Sequence, residues 1–254
     1  MTVCACGAEL RGHGAGALCP ACLIRLALEP DSPDHVPPFV DETTTRLLGP
    51  IGRGPHGTVY LAHRAIDEPN FVTVKVLNVP HVSADFLDSV RDTSRRLSAM
   101  APADTSHLLE PGVTTDGRVY VVAKYIPGPS ITDYVTRRHC NSLDRVRLGE
   151  RVCSLVADLH RHGIIHGSIK SSNVIVVETP GGPLPVLLDT GIVPAISESR
   201  QRRDQMDGGG SATNGEQKDV AALRTLLGTI LEQAPFRTLE DAKSAAALAA
   251  ILKR

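Results

Sequence analysis

The sequence predicts an α+β fold, a β-rich portion followed by an α-rich one, on three observations. Apolar residues alternate along 71–77 soon after a glycine-rich turn, as in an antiparallel strand with a buried face. Apolar residues then recur with helical spacing at 84–99, 131–137 and 143–162. Further on, two short apolar runs, 173–177 and 185–188, bracket the turn TPGGP and predict a small hairpin inside the helical half. With 254 residues, 42% of them hydrophobic, the chain can bury one sizeable core and carry a small appendage.

Residues 1–28 hold four of the six cysteines, Cys4, Cys6, Cys19 and Cys22. Two close pairs separated by a glycine-rich stretch can bring four thiolates onto one tetrahedral zinc ion, and so short a module would owe its folding to the metal. A zinc-ribbon-like module is therefore expected at 1–28, with His13 as a substitute ligand and reduced free thiols as the competing reading. Residues 29–45, EPDSPDHVPPFVDETTT, are rich in proline and acid and read as a linker. Strands are expected from about residue 46 and again at 71–77, 107–113 and 118–126. Residues 197–217 are polar, with three consecutive glycines at 208–210, and are expected to be disordered; two helices should follow from about 218 to 254.

Composition removes several classes of function. No apolar stretch approaches the roughly 20 residues of a membrane-spanning helix. The first charged residue is Glu9 and no basic leader with an apolar core follows the first methionine, so a cytoplasmic setting is expected. Lys and Arg total 27 against 28 Asp and Glu, with 3% aromatic residues, which argues against a basic, stacking nucleic-acid platform.

The chemistry begins at Ile51-Gly52-Arg53-Gly54-Pro55-His56-Gly57-Thr58-Val59. A G-x-G-x-x-G triplet alone is weak, because dinucleotide-binding folds share it. Those folds place a helix directly after the glycines; here strand-like residues follow, and Lys75 comes 18 residues after Gly57 in Val72-Thr73-Val74-Lys75. Downstream, HRHGIIHGSIKSSNVIV at 160–176 supplies His166, Lys170 and Asn173, and Leu187-Leu188-Asp189-Thr190-Gly191 follows with Asp189 16 residues beyond Asn173. In this order and spacing the chain resembles the protein kinase family over roughly 46–235, and the cysteine module before such a domain is similar to a layout found in large bacterial serine/threonine kinases. The resemblance implies a bilobal fold at 46–254, with a β-rich N-lobe at 46–126 and a truncated helical C-lobe at 127–254.

It also implies roles. Gly52, Gly54 and Gly57 would let backbone amides approach phosphate, with Val59 among the nucleotide-binding residues; Lys75 would pair with the α- and β-phosphates. Ala123 would stand at the gatekeeper position and Tyr125 in the hinge. Asp189 and Asn173 would hold Mg²⁺, and Lys170 would neutralise charge on the transferred phosphoryl group. Asp219 could match the aspartate that the family keeps in the helix after the activation segment.

The departures bear on activity. Where the family has Arg-Asp after His166, this chain has Gly167-Ser168, and a serine hydroxyl cannot accept a proton as a carboxylate does; losing such a base removes about 10²–10⁴ of rate. Ser89 stands where a glutamate would pair with Lys75, leaving Asp85, Asp88 or Asp92 as substitutes. Thr73 replaces the alanine above the adenine, Thr190 replaces the packing phenylalanine, and no A-P-E closes the activation segment. The expectation is a pseudokinase that binds ATP and Mg²⁺ weakly or serves as a scaffold, regulating a protein partner such as an active kinase. A slow, divergent serine/threonine kinase is the alternative, and a zinc-module interaction protein on an inert kinase fold is the third reading.

Overall fold

The computed structural model describes residues 2–3, 9–10, 45–65, 71–78, 84–100, 108–197, 213–231 and 242–253. Two short strands, β1 (Thr2–Val3) and β2 (Glu9–Leu10), pair antiparallel with Thr2 opposite Leu10. Cys4, Cys6, Cys19 and Cys22 lie outside the described residues, as does the linker up to residue 44. The chain divides into two compact units: Met1–Met100 with Ser106–Pro127, and Ala101–Thr105 with Gly128–Arg254.

In the first unit, β3 (Thr45–Gly54), β4 (Gly57–Arg64), β5 (Phe71–Leu77), β6 (Leu108–Val113) and β7 (Val119–Lys124) form one antiparallel sheet in the order β3-β4-β5-β7-β6. Alternation sorts the side chains. Ala62, Val72, Val74, Val76 and Val122 share one face and are at most 3% exposed. Arg64 on β4 meets Glu110 on β6 at 2.8 Å, although β5 and β7 lie between those strands. A side chain can cross two strands only where the sheet curls, so the valine face is the inside of the curl. Helix α1 (Ala84–Ala99) packs at the β6 edge and buries Phe86, Val90 and Leu97.

The second unit is helical around a two-stranded ribbon. Helices α2 (Ile131–Arg137) and α3 (Ser142–Arg161) start on Ser130 and Asn141, whose side chains each accept the backbone N–H three residues on. Both helices end in the same way. After α3, Gly163 at φ +67° lets its own N–H reach the His160 carbonyl and the Ile164 N–H reach that of Leu159. After α2 the pattern repeats at His139, φ +47°, with Cys140 N–H on Val135. A 3-10 turn (Ser171–Asn173) leads into the hairpin β8 (Val174–Thr179) and β9 (Gly182–Leu187), which pairs Val174 with Leu187.

A short helix, α4 (192–197), follows Gly191 directly and buries Ile192, Ala195 and Ile196. The sequence reading gave no element there. Helix α5 (Thr213–Ile230) begins before residue 218, so 213–217 are helical where disorder was expected, and 198–212 lie outside the described residues. Helix α6 (Ala245–Leu252) packs on α3. Gly149 of α3 marks their close approach to α5, since a β-carbon there would fall 2.7 Å from Leu227. No helix among the described residues is long and apolar enough to cross a membrane.

Candidate functional site

Each unit carries its own share of the expected site. In the first, Val59 pairs with Lys75 and Lys75 with Val121, while Leu61 pairs with Thr73 and Thr73 with Ala123. Val59, Thr73, Lys75 and Ala123 therefore stand on one face of the sheet, opposite the buried valines. The Thr73 hydroxyl donates to the Ala123 carbonyl at 3.3 Å, which keeps this extra polar group tied to the backbone. Tyr125 is buried, its N–H on the Phe71 carbonyl at 3.4 Å.

The three glycines of the turn are not equivalent. A β-carbon on Gly57 would fall 2.0 Å from the Val76 carbonyl oxygen, so packing of β4 on β5 alone demands glycine there. Gly52 and Gly54 are exposed, have no positive φ, and have nothing within 4 Å of where a β-carbon would sit. Among the described residues nothing requires glycine at those two positions. A ligand that approaches bare backbone would require it.

In the second unit the loop 166–173 is held from beneath by Asp219 of α5. Its carboxylate, 1% exposed, accepts the N–H of His166 at 2.8 Å and of Gly167 at 2.8 Å, with the His160 ring nitrogen at 3.0 Å. His166 is wholly buried, and burial pulls its imidazole below the ordinary value against the opposing pull of Asp219 and Asp189. Its Nδ1 accepts the Ser168 N–H at 3.2 Å, so in the neutral ring the proton resides on Nε2, which has no partner among the described residues; nor does the buried Thr190 hydroxyl.

Ser168 is half-buried and touches Asn173. The Asn173 Nδ2 donates to the Ser168 carbonyl at 2.8 Å and to the Ser168 Oγ at 3.1 Å. A carbonyl can only accept, which fixes the amide orientation and leaves Asn173 Oδ1 with no described donor. Asn173 also tethers β9 through its carbonyl, which accepts the Leu188 N–H at 2.9 Å. One residue on, Asp189 takes φ +61°, a strained choice for a residue with a β-carbon. Lys170 is exposed at the start of the 3-10 turn. Ser168, Lys170 and Asn173 thus occupy one loop, with Asp189 two residues past the end of β9.

Among the described residues no group of three or more His, Cys, Asp or Glu side chains could hold a metal ion unaided. Asn173 Oδ1 and the Asp189 carboxylate are hard oxygen donors of the kind Mg²⁺ takes when phosphate oxygens and water complete its shell. The residues fit Mg²⁺ with a nucleotide. On α3, burial pushes the Cys153 thiol up to about 12, which keeps it a neutral thiol.

Two candidate stand-ins for the missing glutamate are engaged on their own helix: Asp88 holds Arg91 at 3.0 Å and Asp92 holds Arg96 at 2.7 Å. The sequence reading missed His160 as a ligand of Asp219. Its only signal was a second histidine six residues before His166 at the end of a helix. It also missed Pro194, which fills the space over Gly167: at φ +76°, a β-carbon on Gly167 would fall 2.4 Å from Pro194 Cδ.

Comparison with known proteins gives this geometry a family. The protein kinase domain model matches residues 45–208. The chain is 28% identical over 222 residues to the probable serine/threonine-protein kinase PknB of Lactococcus lactis, covering 80% of this chain and 33% of that protein. It is 30% identical over 172 residues to the serine/threonine-protein kinase AfsK of Streptomyces coelicolor, covering 66% and 20%. The chain thus spans at most 33% of either relative's length. The kinase domain of Mycobacterium tuberculosis PknI superposes with a TM-score of 0.59 at 16% identity, covering 86% of this chain and 99% of that one, which shows the fold. The family model covers well over half of the chain, and with a five-stranded sheet, a helical unit and a His-x-x-x-Lys-x-x-Asn loop, the chain belongs to the protein kinase domain family.

Proposed function

We propose that this protein is a pseudokinase: it binds ATP with Mg²⁺ and acts through that bound state on a protein partner, without efficient phosphoryl transfer. The observation that carries the reading is Ser168 at the position of the catalytic base, engaged by Asn173 in place of a carboxylate. A hydroxyl neither carries charge nor takes a proton at neutral pH, so the hydroxyl of a substrate gains no base. Retention of nucleotide is supported by Gly52 and Gly54, which the fold itself does not require, and by the Asn173 and Asp189 oxygens. The relatives are named as serine/threonine kinases, so a partner from the same signalling class fits this reading. A zinc ion on Cys4, Cys6, Cys19 and Cys22 would serve as an accessory module.

The test is a thermal-shift titration of the purified chain with ATP, with and without Mg²⁺ or Mn²⁺, beside a Lys75→Ala/Asp189→Ala double variant and a long radiolabel transfer assay. A shift in the wild type that the double variant loses, with no transfer, supports the pseudokinase. Transfer that depends on Asp189 supports the second reading, a slow kinase, which the grouping of Lys170 and Asn173 in one loop favours.

A further inference from the structure

We propose that Ser168 is a phosphate-holding hydroxyl, which makes the loop 166–173 select a nucleoside triphosphate over a diphosphate. The inference rests on the nucleotide reading above and adds to it the direction in which one hydrogen points.

A carboxylate at this position offers only acceptors, which suits an incoming substrate hydroxyl and repels phosphate. Ser168 offers both roles, and the structure assigns one of them. Its Oγ already accepts from Asn173 Nδ2 at 3.1 Å, the second hydrogen of that amide being spent on the Ser168 carbonyl at 2.8 Å. No carbonyl or carboxylate among the described residues accepts from the Ser168 hydroxyl, and the residue is only half-buried. The remaining O–H therefore points to whatever occupies the site, as a donor.

The surrounding charges agree. Lys170, two residues on and exposed, adds a cation, and the carboxylate that the family would place at 168 is gone, so one negative charge fewer faces a terminal phosphate beside Asp189. Asn173 Oδ1 remains available for the metal that accompanies that phosphate. Substitution of one residue converts a loop that activates a hydroxyl into one that grips the group it would have transferred. The terminal phosphate is the ligand, and a diphosphate lacks it.

Isothermal titration of the full chain with Mg·ATP and Mg·ADP tests this, on the wild type, Ser168→Ala, Ser168→Thr and Ser168→Asp. The wild type should bind ATP about ten- to a hundredfold tighter than ADP, the worth of one hydrogen bond to a charged acceptor. Ser168→Ala should bring the ratio toward one, Ser168→Thr should keep it because the hydroxyl is retained, and Ser168→Asp should invert it. Should the ratio stay the same in all variants while ADP still binds, the phosphate role of Ser168 falls and the nucleotide reading stands. A wild type that binds neither nucleotide at millimolar concentration overturns both.

Discussion

Gly167 and Pro194 lie in such contact that a β-carbon on Gly167 would fall 2.4 Å from the proline Cδ. The family's arginine at this position carries a β-carbon, so here it would need both a left-handed backbone and the space that α4 fills. Glycine at 167 and α4 against the loop belong together.

Gly167→Ala should therefore destabilise the fold by about 2–4 kcal/mol, the sum of overpacking and a forced positive φ. In a Pro194→Ala background the same change should cost only about 1–2 kcal/mol, because the steric part is removed. Urea denaturation of the four proteins in this cycle measures the coupling, and equal costs in both backgrounds would show that the two residues do not interact.

His166 gives stability a pH dependence. Burial holds its folded value below the ordinary 6.5, so the unfolded chain takes up the proton first as pH falls. The neutral ring's contribution is complete above about pH 6.5 and is lost as pH drops below that value toward the folded one, at a limiting slope of about 1.4 kcal/mol per pH unit. Of the groups facing the ring, Asp219 and Asp189 temper the loss, while His160 adds to it. Melting temperatures between pH 5 and 8 should fall more steeply at acid pH for the wild type than for His166→Asn, which keeps an acceptor near the Ser168 N–H.

Asp219 should be among the costliest polar positions to change. Asp219→Ala strands the buried His166 N–H, the half-buried Gly167 N–H and the His160 ring nitrogen, for a loss of about 3–5 kcal/mol. Asp219→Asn retains one acceptor but turns an NH₂ toward a donor, and should cost about 2–4 kcal/mol. Chemical denaturation would show this, and a loss near 1 kcal/mol for alanine would mean that water replaces the carboxylate.

The C-terminus of α2 predicts a gain. His139 takes φ +47° where α3 uses Gly163 for the same hydrogen-bond pattern. His139→Gly should relieve about 1–2 kcal/mol of left-handed strain and forfeit part of it to unfolded-chain entropy, for a net stabilisation of about 0.5–1 kcal/mol. A rise in the denaturation midpoint at unchanged slope is the expected signature.

Much of the candidate site was legible as a pattern because the residues that carry the family resemblance sit at short spacings. Gly57 to Lys75, His166 to Asn173 and Asn173 to Asp189 are local intervals that survive in the linear text, and α2 and the β8–β9 hairpin were legible from periodicity and a proline-glycine turn. What escaped is non-local. That His160 meets Asp219, that Gly57 owes its identity to the Val76 carbonyl, and that Pro194 covers Gly167 are facts about distant segments, and no residue type announces them. Helix α4 escaped for another reason: at six residues it is too short for a helical period to show, and it includes a proline that usually marks a break. Residues 213–217 misled because Thr, Asn, Gly, Glu and Gln read as loop, while in the fold they begin a helix whose later turns are buried.

The tie between Asp219 and the loop also sets an order of events during synthesis. The His166 N–H waits for an acceptor 53 residues further along the chain. At about 5–20 residues per second, a ribosome takes roughly 3–10 s to make that stretch. Throughout that interval the nascent loop has its serine, lysine and asparagine but not the anchor that gives them their geometry.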